Sequence, residues 1–160
     1  MKGILSILFV LTIMSGCAQD ENFDAMFQRM TDGSVKVVYP KDIIGKPVVL
    51  LDSREPGEFA VSHIKGARCV GYDDFDMSAL KDIPKDTEIV VYCSVGYRSE
   101  KIGEMLLEEG FTNVSNLYGG IFNWVNAGNP VVDGNGATPK VHAYNKKWGQ
   151  WLEKGEKVYE

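Results

Sequence analysis

Arginine is scarce in this sequence, with only Arg29, Arg54, Arg68 and Arg98, and the 17 Lys and Arg together are outnumbered by 22 Asp and Glu, for a formal charge of −5. A nucleic-acid backbone is bound through clustered Lys and Arg, so this balance argues against DNA or RNA as a partner. Cysteine is equally sparse. Cys17, Cys69 and Cys93 are too few and too irregularly spaced for a disulfide framework or a four-thiolate zinc site. There is no long hydrophobic run, no nucleotide-binding glycine loop and no cluster of metal-ligand residues, so neither metal nor cofactor is expected. What remains is an ordinary composition, 44% hydrophobic over 160 residues, which suits one globular domain.

The longest mostly apolar stretch, Ile4 to Met14, is eleven residues. A bilayer-spanning helix needs about 20, so this run has the proportions of the apolar region of a signal peptide behind Lys2. Met14-Ser15-Gly16-Cys17 resembles the lipobox of bacterial lipoproteins, with Met14 in place of the usual leucine. The resemblance implies a signal peptide over 1–16, lipidation at Cys17 and a spacer over 17–24. An exported lipoprotein held at a membrane, on its periplasmic or cell-surface face, is the localisation that follows. A plain secretory signal and an uncleaved anchor are the alternatives.

From Phe23 onward, short continuous apolar runs alternate with segments of helical spacing, the pattern of a parallel sheet covered on both faces, and so of an α/β fold. Val48-Val49-Leu50-Leu51 and Glu88 to Tyr92 are the clearest strands; Val35 to Tyr39, Ala67 to Val70 and Asn113 to Leu117 complete a set of five. Helical spacing is expected over Glu55–Val61, Asp73–Leu80, Ser99–Glu109 and Ile121–Asn126. The domain is expected over 25–132. A C-terminal extension, 133–160, is rich in lysine and aromatic residues, and in a helix Tyr144, Trp148 and Trp151 would form one stripe. That stripe reads as packing against the domain, with a partner-binding surface as the alternative.

Cys93 directly follows the apolar strand ending at Tyr92 and precedes Ser94-Val95-Gly96-Tyr97-Arg98 and a helical segment. A cysteine at the junction from strand to helix faces unpaired backbone N–H groups and the positive end of the helix dipole, which favour the thiolate. Gly96 lets the loop curl so that successive amides converge, and Arg98 adds a fixed cation able to hold an anionic substrate. A free cysteine is more often a small buried hydrophobe, but the glycine, the arginine and the junction together favour a nucleophile. Cys69, inside an expected strand, reads as a packed side chain.

The residues quoted resemble the single-domain rhodanese family from about Val48 to Val132. Asp52-Ser53-Arg54-Glu55-Pro56 with Glu58-Phe59 is similar to its D-x-R-E-P-x-E-F segment, and His63-Ile64-Lys65-Gly66-Ala67 to its H-I-x-G-A turn. Cys93 to Ser99 looks like the C-x-x-G-x-R-S active loop. Gly119-Gly120-Ile121-Phe122-Asn123-Trp124 is similar to the closing G-G-x-x-x-W. The resemblance implies a rhodanese-like fold, a five-stranded parallel sheet with helices on both faces. It also implies sulfur transfer: Cys93 becomes a persulfide and passes a sulfane sulfur from a small anionic donor such as thiosulfate to cyanide or a thiol. The persulfide is transient and no other cofactor is implied. Ser94, Val95, Gly96, Tyr97 and Arg98 would form the binding loop, and Asp52 and Arg54 an ion-paired support.

Family members with a longer loop, C-x5-R, resemble dual-specificity phosphatases and arsenate reductases. Here four residues separate Cys93 from Arg98. The narrower ring of amides suits one sulfur atom better than a tetrahedral phosphate. A redox-active thiol and a non-catalytic rhodanese module that binds a partner are the other readings.

Overall fold

The computed structural model describes residues 22–159, so the expected signal segment and Cys17 lie outside the described residues. Among the described residues no helix is long and apolar enough to cross a membrane. Five parallel strands form the central sheet: β1 (Lys36–Val38), β2 (Val49–Asp52), β3 (Arg68–Cys69), β4 (Ile89–Tyr92) and β5 (Val114–Leu117), in the order β1-β5-β4-β2-β3. All five coincide with the strands read from the sequence. The central strand β4 explains why its sequence is apolar throughout. Val90 and Tyr92 enter one core cluster, Ile89 and Val91 the other, and all four are fully buried. A strand covered on both faces has no solvent side on which to alternate.

The helices that position the site are α1 (Phe23–Met30), α2 (Pro40–Ile43), α3 (Pro56–Val61), α4 (Tyr97–Glu108) and α5 (Gly120–Asn126). Ile102 and Leu106 of α4 pack on the β4 face that carries Ile89 and Val91, whereas Ile121, Phe122 and Val125 of α5 pack on the other. The helix expected over Asp73–Leu80 is only a 3₁₀ turn, Met77–Leu80. Asp76 starts it late by accepting from Ser78 N–H at 2.9 Å, because aspartate side chains favour turns over helix interiors.

Two boundaries drawn from the sequence fall inside packed structure. Asn22 caps α1, whose Met26 and Phe27 are buried, so Phe23 and Asp24 belong to a docked helix rather than to a spacer. The helix is one eight-residue element held by tertiary contacts, among them Phe27 against Tyr118 with ring centroids 4.6 Å apart. Past residue 132 the chain forms a hairpin, β6 (Val131–Asp133) with β7 (Gly136–Thr138), then β8 (Lys140–His142), α6 (Lys146–Gly149) and β9 (Glu156–Val158), with β8 and β9 parallel. Val141, Ala143 and Leu152 are fully buried in the cluster that holds Tyr92 and Ile121. Trp148 and Trp151 pack against that cluster, as the reading of the tail as packing requires, but not as a helical stripe with Tyr144: Tyr144 stands outside any helix at φ 63°, and α6 spans four residues. Asn145 caps α6 by accepting from Trp148 N–H, which starts the helix only after Tyr144.

Asp52 and Arg54, at the end of β2, are fully buried and joined by a 2.7 Å ion pair, with a further guanidinium bond to the Ser62 carbonyl at 2.7 Å. They tie β2 to the end of α3 and do not line the cavity described below. Removing one partner of a buried pair leaves an uncompensated charge. Asp52→Ala is therefore expected to cost about 3–5 kcal/mol of unfolding free energy, measured by urea denaturation. A loss below about 1 kcal/mol would show that the pair does not hold this corner.

Candidate active site

Cys93 sits directly after β4, and its side chain is held beneath the start of α4: Gly96 N–H donates to Cys93 Sγ at 3.1 Å, and Ser99 Oγ lies 3.6 Å from the same sulfur. Gly96 has φ 128°, and a Cβ there would come within 2.5 Å of the Phe27 ring, so both the turn and the closeness of α1 require glycine. The loop is held from outside. The Cys93 carbonyl accepts Ile121 N–H at 2.9 Å, and the Ser94 carbonyl accepts Phe122 N–H at 3.2 Å. In a trans peptide the N–H after a carbonyl points the opposite way, so anchoring these carbonyls on α5 turns the Ser94 and Val95 amides away from α5. Gly120, at φ 56°, makes this possible, since a Cβ there would lie 2.3 Å from the Cys93 carbonyl.

A buried polar set secures the far side of the loop. Ser99 Oγ donates to Asn116 Oδ1 at 2.7 Å, and Asn116 Nδ2 donates to the Gly96 carbonyl at 2.9 Å and to Glu100 Oε2 at 2.8 Å. Glu100 in turn accepts Gly33 N–H at 3.0 Å. Asn116 was not among the expected site residues, because within the apolar strand β5 it reads as an interruption.

Arg98 occupies the loop end as expected, but its partner differs from the expected anionic substrate. Its guanidinium is bidentate on Glu58 at 2.7 and 2.9 Å and also donates to Ser94 Oγ at 3.2 Å. Burial works against the Glu58 charge, but Arg98 outweighs it and holds the carboxyl below its ordinary value. Glu58 carries a second function that hid the first: it also accepts Glu55 N–H at 3.1 Å, as a glutamate does in a capping box. His142, from β8, places Nδ1 3.9 Å from Glu58 Oε1, and burial, opposed by Glu58, lowers its pKa. Nothing in the sequence around His142 marks it as a neighbour of this cluster.

A cavity of about 260 Å³ opens over Cys93. The whole segment Cys93–Arg98 except Gly96 lines it, as do Tyr144 and Trp148 from the C-terminal segment. Cys69 lies on the edge strand, two strands from Cys93, with Sγ 3.8 Å from the Arg54 carbonyl; burial raises its pKa. His63 stacks on Phe59 with centroids 3.8 Å apart and bonds the Phe59 carbonyl through Nδ1, a structural arrangement.

The fold and site together define an α/β domain with a five-stranded parallel sheet and a buried cysteine at a strand-loop-helix junction, its sulfur accepting a backbone N–H. The model of the rhodanese-like domain matches residues 37–127, and the chain belongs to that family. A sulfurtransferase of Allochromatium vinosum is 36% identical over 85 residues, covering 53% of this chain and 78% of that protein. A tRNA uridine(34) hydroxylase of Enterococcus faecalis is 28% identical over 119 residues, and this chain covers only 35% of its length. The solved rhodanese-like domain of an Anabaena protein superposes with a TM-score of 0.56 at 25% identity, covering 60% of this chain and 77% of that one. Both α1 and the segment after α5 lie outside the matched residues.

The Glu58–Arg98 pair sets an acid limit. Because the folded-state pKa of Glu58 is lowered, the stabilisation from the pair is fully present above the ordinary carboxyl value of 4.5 and is lost as pH falls through the folded value. Glu58→Gln is expected to cost about 2–4 kcal/mol at pH 7 and to flatten the acid limb of stability between about pH 5 and 3. Urea melts across that range check it; an unchanged acid limb in the variant would assign the acid sensitivity elsewhere.

Proposed function

We propose that the protein is a sulfurtransferase that works through a Cys93 persulfide. The observation that carries this reading is the placement of Cys93 Sγ against Gly96 N–H inside a loop whose carbonyls are bound elsewhere. The Cys93 thiolate attacks the sulfane sulfur of a donor; the new S–S bond forms as the donor's bond to that sulfur breaks, and the donor leaves with the electron pair. An acceptor thiolate or cyanide then attacks the outer sulfur and returns Cys93 as thiolate. No net oxidation occurs. The amides of residues 94–98 meet the negative charge of thiolate, persulfide and leaving group in turn, so fixed dipoles need no reorganisation during either displacement.

The sulfurtransferase relative supports this reading, and so does the loop length, since four residues between Cys93 and Arg98 make a ring smaller than a phosphate cradle. The bidentate Glu58 also occupies the Arg98 edges that a phosphoryl group would need. The proposal includes a membrane tether through Cys17, which rests on the Met14-Ser15-Gly16-Cys17 segment alone.

Intact mass spectrometry of the purified protein before and after incubation with thiosulfate or an organic persulfide tests the reaction. A gain of about 32 Da, removed by cyanide and absent in Cys93→Ala, is expected. Hydrolysis of p-nitrophenyl phosphate without any gain of sulfur would overturn the reading.

A further inference from the structure

The walls of the cavity do not suit the simplest sulfur donors. Arg98 is the one cation among the described residues lining it, and both ends of its guanidinium are engaged by Glu58 and Ser94. Glu55 and Asp73 also line the cavity, so carboxylates outnumber the cation. A dianion entering here would lose hydration without gaining a free positive partner. The remaining walls are organic in character. Tyr72, Tyr97, Tyr144, Trp148 and Met30 surround the approach to Cys93, and Tyr144 and Tyr97 are 50% and 42% exposed.

Tyr144 is placed there at a backbone cost. It holds φ 63°, uncommon for any residue but glycine, asparagine or aspartate, while its N–H donates to His142 Nδ1 at 3.2 Å. The Arg98 guanidinium carbon lies 5.3 Å from the centroid of the Tyr144 ring, so the ring adds a cation–π contact to a cation whose edges are already bonded. Trp148 is partly buried against the core cluster and so is a fixed wall rather than a mobile side chain. Both come from the segment after the matched rhodanese domain.

We propose that Tyr144 and Trp148 are specificity-determining residues, and that they select a carbon-bound persulfide, attacked in its protonated R–S–SH form, over the thiosulfate dianion. The inference rests on the sulfur-transfer reading above. The rings hold the carbon skeleton while the Cys93 thiolate attacks the outer sulfur of R–S–SH. The bond between the two donor sulfurs breaks, Cys93–S–SH forms, and R–S⁻ leaves and takes a proton from solvent. The same walls admit an uncharged thiol as acceptor in the second displacement.

Rates of sulfur loading on Cys93 of the full chain, read by intact mass, are compared for benzyl persulfide, glutathione persulfide and thiosulfate. Benzyl persulfide is expected to load at least about tenfold faster than thiosulfate, with glutathione persulfide, which carries an additional negative charge and no aromatic ring, between them. Tyr144→Asn, which accepts the left-handed backbone, and Trp148→Ala should each lower the benzyl-to-thiosulfate rate ratio about fivefold, and Tyr144→Phe should restore it. Asp73→Asn, outside the packed core, should lower the ratio by speeding thiosulfate. Equal loading by benzyl persulfide and thiosulfate in the unaltered protein, or a ratio unmoved by Tyr144→Asn, would overturn the selectivity and leave sulfur transfer standing. Absence of loading by all three donors would overturn both.

Discussion

The shape of the Cys93–Arg98 loop is imposed by groups that bind its carbonyls from outside. Two amides at the start of α5 take the Cys93 and Ser94 carbonyls, and Asn116 takes that of Gly96. With its acceptors turned outward, the loop is left with donors facing the sulfur, and Gly96 N–H is the visible instance. The sulfur meets a backbone N–H and the Ser99 hydroxyl at the start of α4, an arrangement suited to negative charge. The close approach at Gly120 is its sharpest requirement, because any side chain there would displace the carbonyl on which the orientation depends.

Around that loop the protein adds elements of its own. Phe27 of α1 closes on Gly96, and Phe23 meets Trp151 edge-on with centroids 5.8 Å apart, so the two segments flanking the family domain touch one another beside the site. The C-terminal segment reaches further, with His142 beside Glu58, Tyr144 on Arg98 and Trp148 at the cavity. Arg98 is paired with Glu58, and aromatic side chains make up much of the cavity lining over Cys93.

The sheet was legible from the sequence because each of its strands is a short apolar run, and the active loop because glycine, arginine and cysteine fall at fixed offsets after one of them. The Asp52–Arg54 support was legible for the same reason. Glu58 was visible only as part of a motif, since a glutamate three residues into a proline-started helix already has a capping role. Asn116, His142 and the position of Tyr144 could not be read, because their meaning comes from contacts across more than a dozen residues: Asn116 with Ser99 at 17 and His142 with Glu58 much farther along the chain. The aromatic spacing of the tail misled for a related reason. Helical period describes a face only if a helix forms, and here Asn145 begins the helix after Tyr144.

A crystal structure of the protein after loading with sulfur tests the central claim most directly. The account predicts one additional sulfur atom bonded to Cys93 Sγ, inside the loop and within hydrogen-bonding distance of backbone N–H groups of residues 94–98, with the Cys93 and Ser94 carbonyls still on α5. A terminal sulfur directed out of the loop, or a loop whose carbonyls turn inward to meet it, would contradict the claim that these amides are what the fold is built to present.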